Sequence, residues 1–264
     1  MSTALQAVAL TVAREAAALV RERRQSPVVV AATKSSDVDV VTEADRASED
    51  LIRRRLTELR PGDAFLGEET GTGEGSTGVR WIVDPIDGTV NFLYGLPQYA
   101  VSIAAEVDGR TEAGVVINAA TGVEYTAVRG QGATRDGAPI VVREPAPLAE
   151  RLVLTGFWYD AELRAAQAAA LVHLLPRVRD IRRMGSCALD LCHVAEGSAD
   201  GYVEEGPQPW DHAAGLLIAE EAGARGELAR GCGGGVAVVC APHHGFEEFR
   251  AAVAQAGFLA ASPT

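Results

Sequence analysis

Five carboxylates, by type and position, are the groups in this sequence best placed to do chemistry. Glu68 and Glu69 close the apolar stretch "DAFLGEET" (63–70). Asp84 and Asp87 interrupt "WIVDPIDGTVNF" (81–92), and Asp211 follows Trp210 in "WDHAAG" (210–215). Strand ends in α/β sheets open onto a shared crevice, so acids at several strand ends can converge. Converged acids repel: two unit charges ~4 Å apart cost roughly 4 kcal/mol at an effective dielectric near 20. Protons or a cation must then neutralise them. The donors are all oxygens, which suits Mg²⁺ or Mn²⁺ and disfavours zinc.

The residues after Asp87 supply the complement. Gly88 lets the backbone turn tightly beside a ligand. A helix starting there would turn free N–H groups toward a phosphate, and the Thr89 hydroxyl can orient a water. Cation, phosphate cradle and oriented water are the parts needed for phosphoester hydrolysis, in which two metal ions ~3.5–4 Å apart clamp the attacking and leaving oxygens. A phosphatase with a nucleophilic aspartate, of the haloacid-dehalogenase type, also uses a D…DGT motif. Its acids stand two apart and share one face of an extended segment, whereas Asp84 and Asp87 stand three apart with Pro85 between them.

The elements that must position these acids are readable in outline. Residues 4–24 have apolar positions at helical spacing. Thr42 and Asp45 form a capping-box pattern that opens a helix over 43–59, stopped by Pro61 and Gly62. A strand over 63–70 is followed by a Gly-rich loop over 71–78 and a strand over 79–84. Asp108-Gly109 marks a hairpin within 100–118, and strands and turns continue over 122–142. Pro145 and Pro147 mark a boundary. Beyond it strands near 152–156, 178–182, 200–204 and 236–240 alternate with helices near 160–175, 186–196, 211–223 and 245–256. That alternation predicts layered α/β architecture. "GCGGGV" (231–236) lacks the Lys-Ser/Thr of a phosphate loop and reads as a plain loop.

Composition bounds the partners. The chain has 264 residues, 47% of them hydrophobic, enough for a sizeable core. Its formal net charge of −12 argues against nucleic acid and anionic membranes as partners, though not against an anionic substrate bridged by a cation. The four cysteines form no C-x-x-C pair and read as reduced thiols, which with no visible signal peptide or uncharged membrane-length run predicts a cytoplasmic protein.

"GEET" (67–70), "WIVDPIDGTVNFLYGLPQYAVSIA" (81–104) and "WDHAAG" (210–215) resemble, in order and spacing, the signatures of the inositol monophosphatase family. "KSSDVDVVTEAD" (34–45) resembles the family's N-terminal loop segment, and "MGSCALDLCHVAEGSADGYVE" (184–204) its substrate-side segment. The resemblance implies the family's α+β fold, a layered α-β-α-β-α sandwich of the sugar-phosphatase type. It implies one compact unit over 1–264, with a metal-site half (1–145) and a substrate-side half (148–264). It also implies Mg²⁺-dependent hydrolysis of a small phosphate monoester with two or three ions per site, Mn²⁺ as a substitute, sensitivity to Li⁺, and a homodimer.

Carried over by residue, the resemblance makes Glu68, Asp84, Asp87, Asp211 and the Ile86 backbone carbonyl metal ligands. Glu69 and Thr89 become the catalytic pair that holds and activates the attacking water, with Gly88 and Thr89 contacting the phosphate. Gly185, Ser186 and Cys187 would form the turn beside the substrate, and Glu204 would accept a hydrogen bond from a substrate hydroxyl. Cys187 stands where the family often has Ala. Lys34, Asp39 and Asp45 fall in a mobile loop region that closes over metal and substrate. The substrate expected first is a phosphorylated polyol, myo-inositol 1-phosphate. Histidinol phosphate, fructose 1,6-bisphosphate and 3′-phosphoadenosine 5′-phosphate remain open, as does a non-catalytic regulatory protein that keeps the fold.

Overall fold

The computed structural model describes residues 1–26, 28, 30–33 and 40–260. Lys34 and Asp39 lie outside them. Helix α1 (Ser2–Arg23) places Leu5, Ala9, Val12, Ala16 and Val20 on one buried face. By length and composition α1 could cross a membrane, but that face is packed against a sheet. The strand pair β1 (Val30–Thr33) and β2 (Val40–Thr42) leads into α2 (Glu43–Leu59). The Thr42 hydroxyl accepts the Ala44 and Asp45 N–H groups and the Asp45 carboxylate accepts the Thr42 N–H, which is the capping box expected from sequence.

Next come β3 (Ala64–Gly67), β4 (Gly71–Gly73), β5 (Val79–Asp87), the short helix α3 (Thr89–Tyr94), β6 (Ala100–Val107), β7 (Arg110–Asn118), β8 (Glu124–Val128), β9 (Ala133–Arg135) and β10 (Ala138–Ile140). They form an eight-stranded sheet in the order β10-β9-β8-β7-β6-β5-β3-β4. Asp108 (φ 49°) and Gly109 (φ 82°) make the β6–β7 turn, both in the left-handed region that tight hairpins require.

The rest of the chain is β11 (Leu152–Thr155), α4 (Ala161–Leu174), β12 (Asp180–Arg182), α5 (Cys187–Ala195), β13 (Gly201–Glu205), α6 (Pro209–Glu221), β14 (Ala224–Arg230), β15 (Val236–Pro242) and α7 (Phe246–Ala256). The second sheet runs β12-β11-β13-β15-β14, parallel across its first three strands. Three apolar clusters hold the layers. One packs α1 and α2 on the large sheet; one surrounds α5 and α6 between the two sheets; one joins α4 and α7 to the small sheet. The result is the expected α-β-α-β-α sandwich. The middle layer is apolar nearly all round, so Cys187, Ala188, Leu189, Leu191, Cys192, Val194 and Ala195 are all buried.

Three boundaries differ from the sequence reading. Strand β14 was not expected, because Arg225, Glu227 and Arg230 break its apolar pattern; it is an edge strand, where charge is ordinary. The Gly-rich loop after Glu69 contains the short strand β4. Strand β5 does not end at Asp84 but continues through Asp87.

Candidate active site

The continuation of β5 brings its two aspartates together. Asp84 pairs with Ser102 and Asp87 with Ala100, so three steps on β5 match two on β6. This is a β-bulge, and the extra residue restores to one side of the strand two side chains that plain alternation would send to opposite sides. Pro85 suits the irregularity, since it has no N–H to give to the ladder. Beside β5 runs β3, in parallel register with Gly67 opposite Val83, and the Glu68 N–H donates to Val83 O at 3.3 Å. That sets Glu68 next to Asp84. Asp211 arrives from the other half of the chain, in the first turn of α6, where its carboxylate accepts the Gln208 N–H at 2.6 Å. Carboxylate oxygens of Asp84, Asp87 and Asp211 lie within 4.8 Å of one another.

These groups line a cavity of about 260 Å³. Glu68, Ile86, Gly88, Thr89, Gly185, Cys187 and Glu204 line it too. Ser186 and Asp45 stand behind the wall, each bonded to a lining residue, and Glu69 follows the lining residue Glu68 in sequence. The Ser186 hydroxyl donates to Asp87 Oδ2 at 2.6 Å, and the Ala188 N–H donates to the same oxygen at 2.7 Å. The N-terminus of α5 thus holds Asp87 in place. Asp45 is a correction: expected in a mobile loop, it sits in the first turn of α2, 1% exposed. The Thr89 hydroxyl lies 3.1 Å from both Asp45 Oδ1 and the Ile86 carbonyl, so its one proton serves either acceptor. Gly88 holds φ 90°, with the Gln98 and Gly185 carbonyls where a side chain would begin.

Residues that the sequence reading passed over complete the site. Glu49, fully buried on α2, accepts the N–H groups of Glu69 and Thr70, each at 2.8 Å. Arg183, Phe157, Trp158 and Tyr159 also line the cavity. Three successive aromatics in a chain with 5% aromatic residues were a visible signal; Glu49 gave none.

Burial sets the electrostatics. It pushes Asp84 and Asp211 well above the usual carboxylate range, and the neighbouring acids push them further. Burial moves Asp87 up to about 6, against the pull of the Ser186 and Ala188 hydrogen bonds. It moves Glu204 up to about 7, although Tyr202 donates to its Oε2 at 2.8 Å. The Cys187 thiol is pushed up as well and stays neutral, a poor metal ligand. Asp190, whose two carboxylate oxygens are buried with no hydrogen-bond partner among the described residues, is likewise pushed well above the usual carboxylate range by burial. Oxygen donors this close, and this reluctant to ionise unaided, fit a hard divalent cation.

Stability should carry the same signature. The unfolded chain ionises its acids near pH 4, while Glu204 holds its proton to about 7 when folded. Between those limits the native state binds more protons, so stability falls as pH rises. His212, pushed down by burial to about 4, opposes this below pH ~6.5, where an ordinary His releases its proton. The trend is therefore unopposed by His212 above that point. Thermal unfolding of the metal-free protein should show Tm falling between about pH 6.5 and 8; a rising Tm contradicts the assignment.

Comparison with known proteins agrees with this geometry. The family model for the inositol monophosphatase family matches residues 1–262. The inositol-1-monophosphatase SuhB of Mycobacterium tuberculosis is 48% identical over 257 residues, covering 90% of this chain and 89% of that protein. The Nus factor SuhB of Escherichia coli is 39% identical over 218 residues, 82% of each. A solved structure of Mycobacterium tuberculosis SuhB superposes with a TM-score of 0.86 at 44% identity, over 98% of this chain and 99% of that one. With its bulged Asp84–Asp87 pair facing Asp211 across two halves of a five-layer sandwich, the chain belongs to the inositol monophosphatase family, whose members are metal-dependent phosphatases.

Proposed function

We propose that this protein hydrolyses the phosphate ester of a small polyol, myo-inositol 1-phosphate before others, with Mg²⁺ as its cation. The observation that carries this is the convergence of Asp84, Asp87 and Asp211 in a cavity that also holds Glu204. Glu68, Asp84, Asp87, Asp211 and the Ile86 carbonyl hold two or three ions between them, and Mn²⁺ can substitute. Residues 1–145 supply most of these ligands; 148–264 supply Asp211 and Glu204, so neither half holds the site alone. When bound, the cation neutralises the carboxylates, offsets charge building on the phosphate and leaving oxygen, and acidifies water.

The chain's own groups do the rest. Gly88 and Thr89 offer backbone N–H groups to the phosphate, while Gly185, Ser186 and Cys187 shape the turn beside the polyol. The Thr89 hydroxyl, tied to Asp45, orients the attacking water, and Glu69 accepts its proton. Asp45 feels the charge of Glu69, which links the two members of the pair. Glu204 accepts a hydroxyl of the leaving polyol. Glu204→Gln is therefore expected to change the ratio of kcat/KM values among polyol phosphates several-fold while leaving the Mg²⁺ requirement unchanged; an unchanged ratio removes Glu204 from the substrate side.

The test is phosphate release, with Mg²⁺ and with and without Li⁺, from myo-inositol 1-phosphate, histidinol phosphate, fructose 1,6-bisphosphate and 3′-phosphoadenosine 5′-phosphate. Fastest release from the inositol ester, blocked by Li⁺, supports the reading, and another ester in first place reassigns the substrate. A relative named as a Nus factor favours one second reading, a regulatory role on the same fold. The complete acid set favours catalysis, and no turnover of any ester would leave the regulatory role standing. A homodimer is the expected assembly.

A further inference from the structure

Two parallel strands end at the cavity, and each is followed by a glycine. Thr155, the last residue of β11, pairs with Val203 of β13, so Gly156 and Gly206 fall just beyond neighbouring strand ends. Gly156 lies under a side chain of β13, and Gly206 lies under one from the segment that follows β11. A Cβ on Gly156 would lie 1.9 Å from Glu204 Oε2, and a Cβ on Gly206 would lie 2.0 Å from Cε3 of Trp158. The Glu204 carboxylate and the Trp158 indole both line the cavity.

The backbone that carries the indole is fixed from behind. The Trp158 main-chain N–H donates to Gln167 Oε1 at 3.0 Å, and Gln167 Nε2 donates to the Glu205 carbonyl at 3.2 Å. Gln167 is 1% exposed, so the clamp is shielded from water. The Glu205 carboxylate is gripped in turn by the Gly233 and Gly235 N–H groups at 2.9 and 2.8 Å. The glycine-rich loop thus cradles a side chain of the protein itself, which anchors the end of β13 next to Glu204.

We propose that Trp158 is a specificity-determining residue that selects ring-shaped phosphate esters. This rests on the phosphatase reading above. A polyol ring carries hydroxyls at its edge and C–H groups on its faces. Glu204 suits the edge and the indole in the same cavity suits a face, which an acyclic polyol lacks. Apolar walls with a few placed polar groups are how small-molecule pockets set orientation. The contact is remote from phosphorus and equal in ground and transition states, so it acts on KM rather than kcat.

The experiment compares the unmodified protein, Trp158→Ala and Trp158→Phe on myo-inositol 1-phosphate and on acyclic glycerol 2-phosphate, with Mg²⁺. For Trp158→Ala we expect KM for the ring ester to rise roughly five- to ten-fold at unchanged kcat, KM for glycerol 2-phosphate to stay within about two-fold, and Trp158→Phe to restore most of the loss. Equal losses on both esters, a loss confined to kcat, or no loss on the ring ester overturns the proposal. Failure of the unmodified protein to hydrolyse either ester contradicts the phosphatase reading, and the inference falls with it.

Discussion

An Asp87→Asn protein is expected to fold and to lose more than nine-tenths of its turnover. Asp87 Oδ2 accepts hydrogen bonds from the Ser186 hydroxyl and the Ala188 N–H. The amide oxygen of Asn can take that place, so the tie to α5 survives. The other position becomes an NH₂ group, which donates hydrogens toward Asp84 and Asp211 and cannot ligate a cation. The charge that Asp87 brings to the cluster is lost with it. Unfolding without metal should be little changed, because burial already disfavours the charged carboxylate here. Phosphate release and thermal unfolding, measured on the same preparation, check both halves. Turnover above a tenth of the unmodified protein's would mean that Asp87 is not a ligand.

Glu49→Gln should be nearly as damaging, although Glu49 does not line the cavity. Its two oxygens accept two backbone N–H groups, those of Glu69 and Thr70. Glutamine offers one acceptor and turns a donor toward the other N–H. A buried polar group left unpaired costs about 1–3 kcal/mol. Relief comes by moving the segment that carries Glu68 and Glu69. A displacement of ~1 Å can cost about 10²-fold in rate, so kcat should fall on the order of 10- to 100-fold along with a lower Tm. A lower Tm at unchanged kcat would show that Glu49 stabilises the fold without placing the acids. Gly67 belongs to the same device, since a Cβ there would lie 2.6 Å from Glu49 Oε2.

These two residues mark what could and could not be read from the sequence. The cap at Thr42 and Asp45 and the turn at Asp108-Gly109 are short-range patterns, and both were legible. The acids at 68, 84, 87 and 211 were legible by type and by their place after apolar runs. How Asp84 and Asp87 share a side was not, because it depends on the register of β5 against β6, set by Ser102 and Ala100. Glu49 was hidden for a related reason. It is one acid among many charges on α2, and only the return of the chain at Glu69 and Thr70 gives it partners. Trp158 was in plain view, but its use depends on Gly206, 48 residues further on and brought near by strand pairing. β14 was masked by charges that an edge strand tolerates.

The central claim is that Asp84, Asp87 and Asp211 share divalent cations. Crystals soaked in Mn²⁺, with diffraction recorded for anomalous scattering, test it most directly. The account predicts anomalous peaks among these three carboxylates, with Glu68 and the Ile86 carbonyl beside them, and their loss in Asp87→Asn. Peaks elsewhere on the molecule, with none in the cavity, would contradict it.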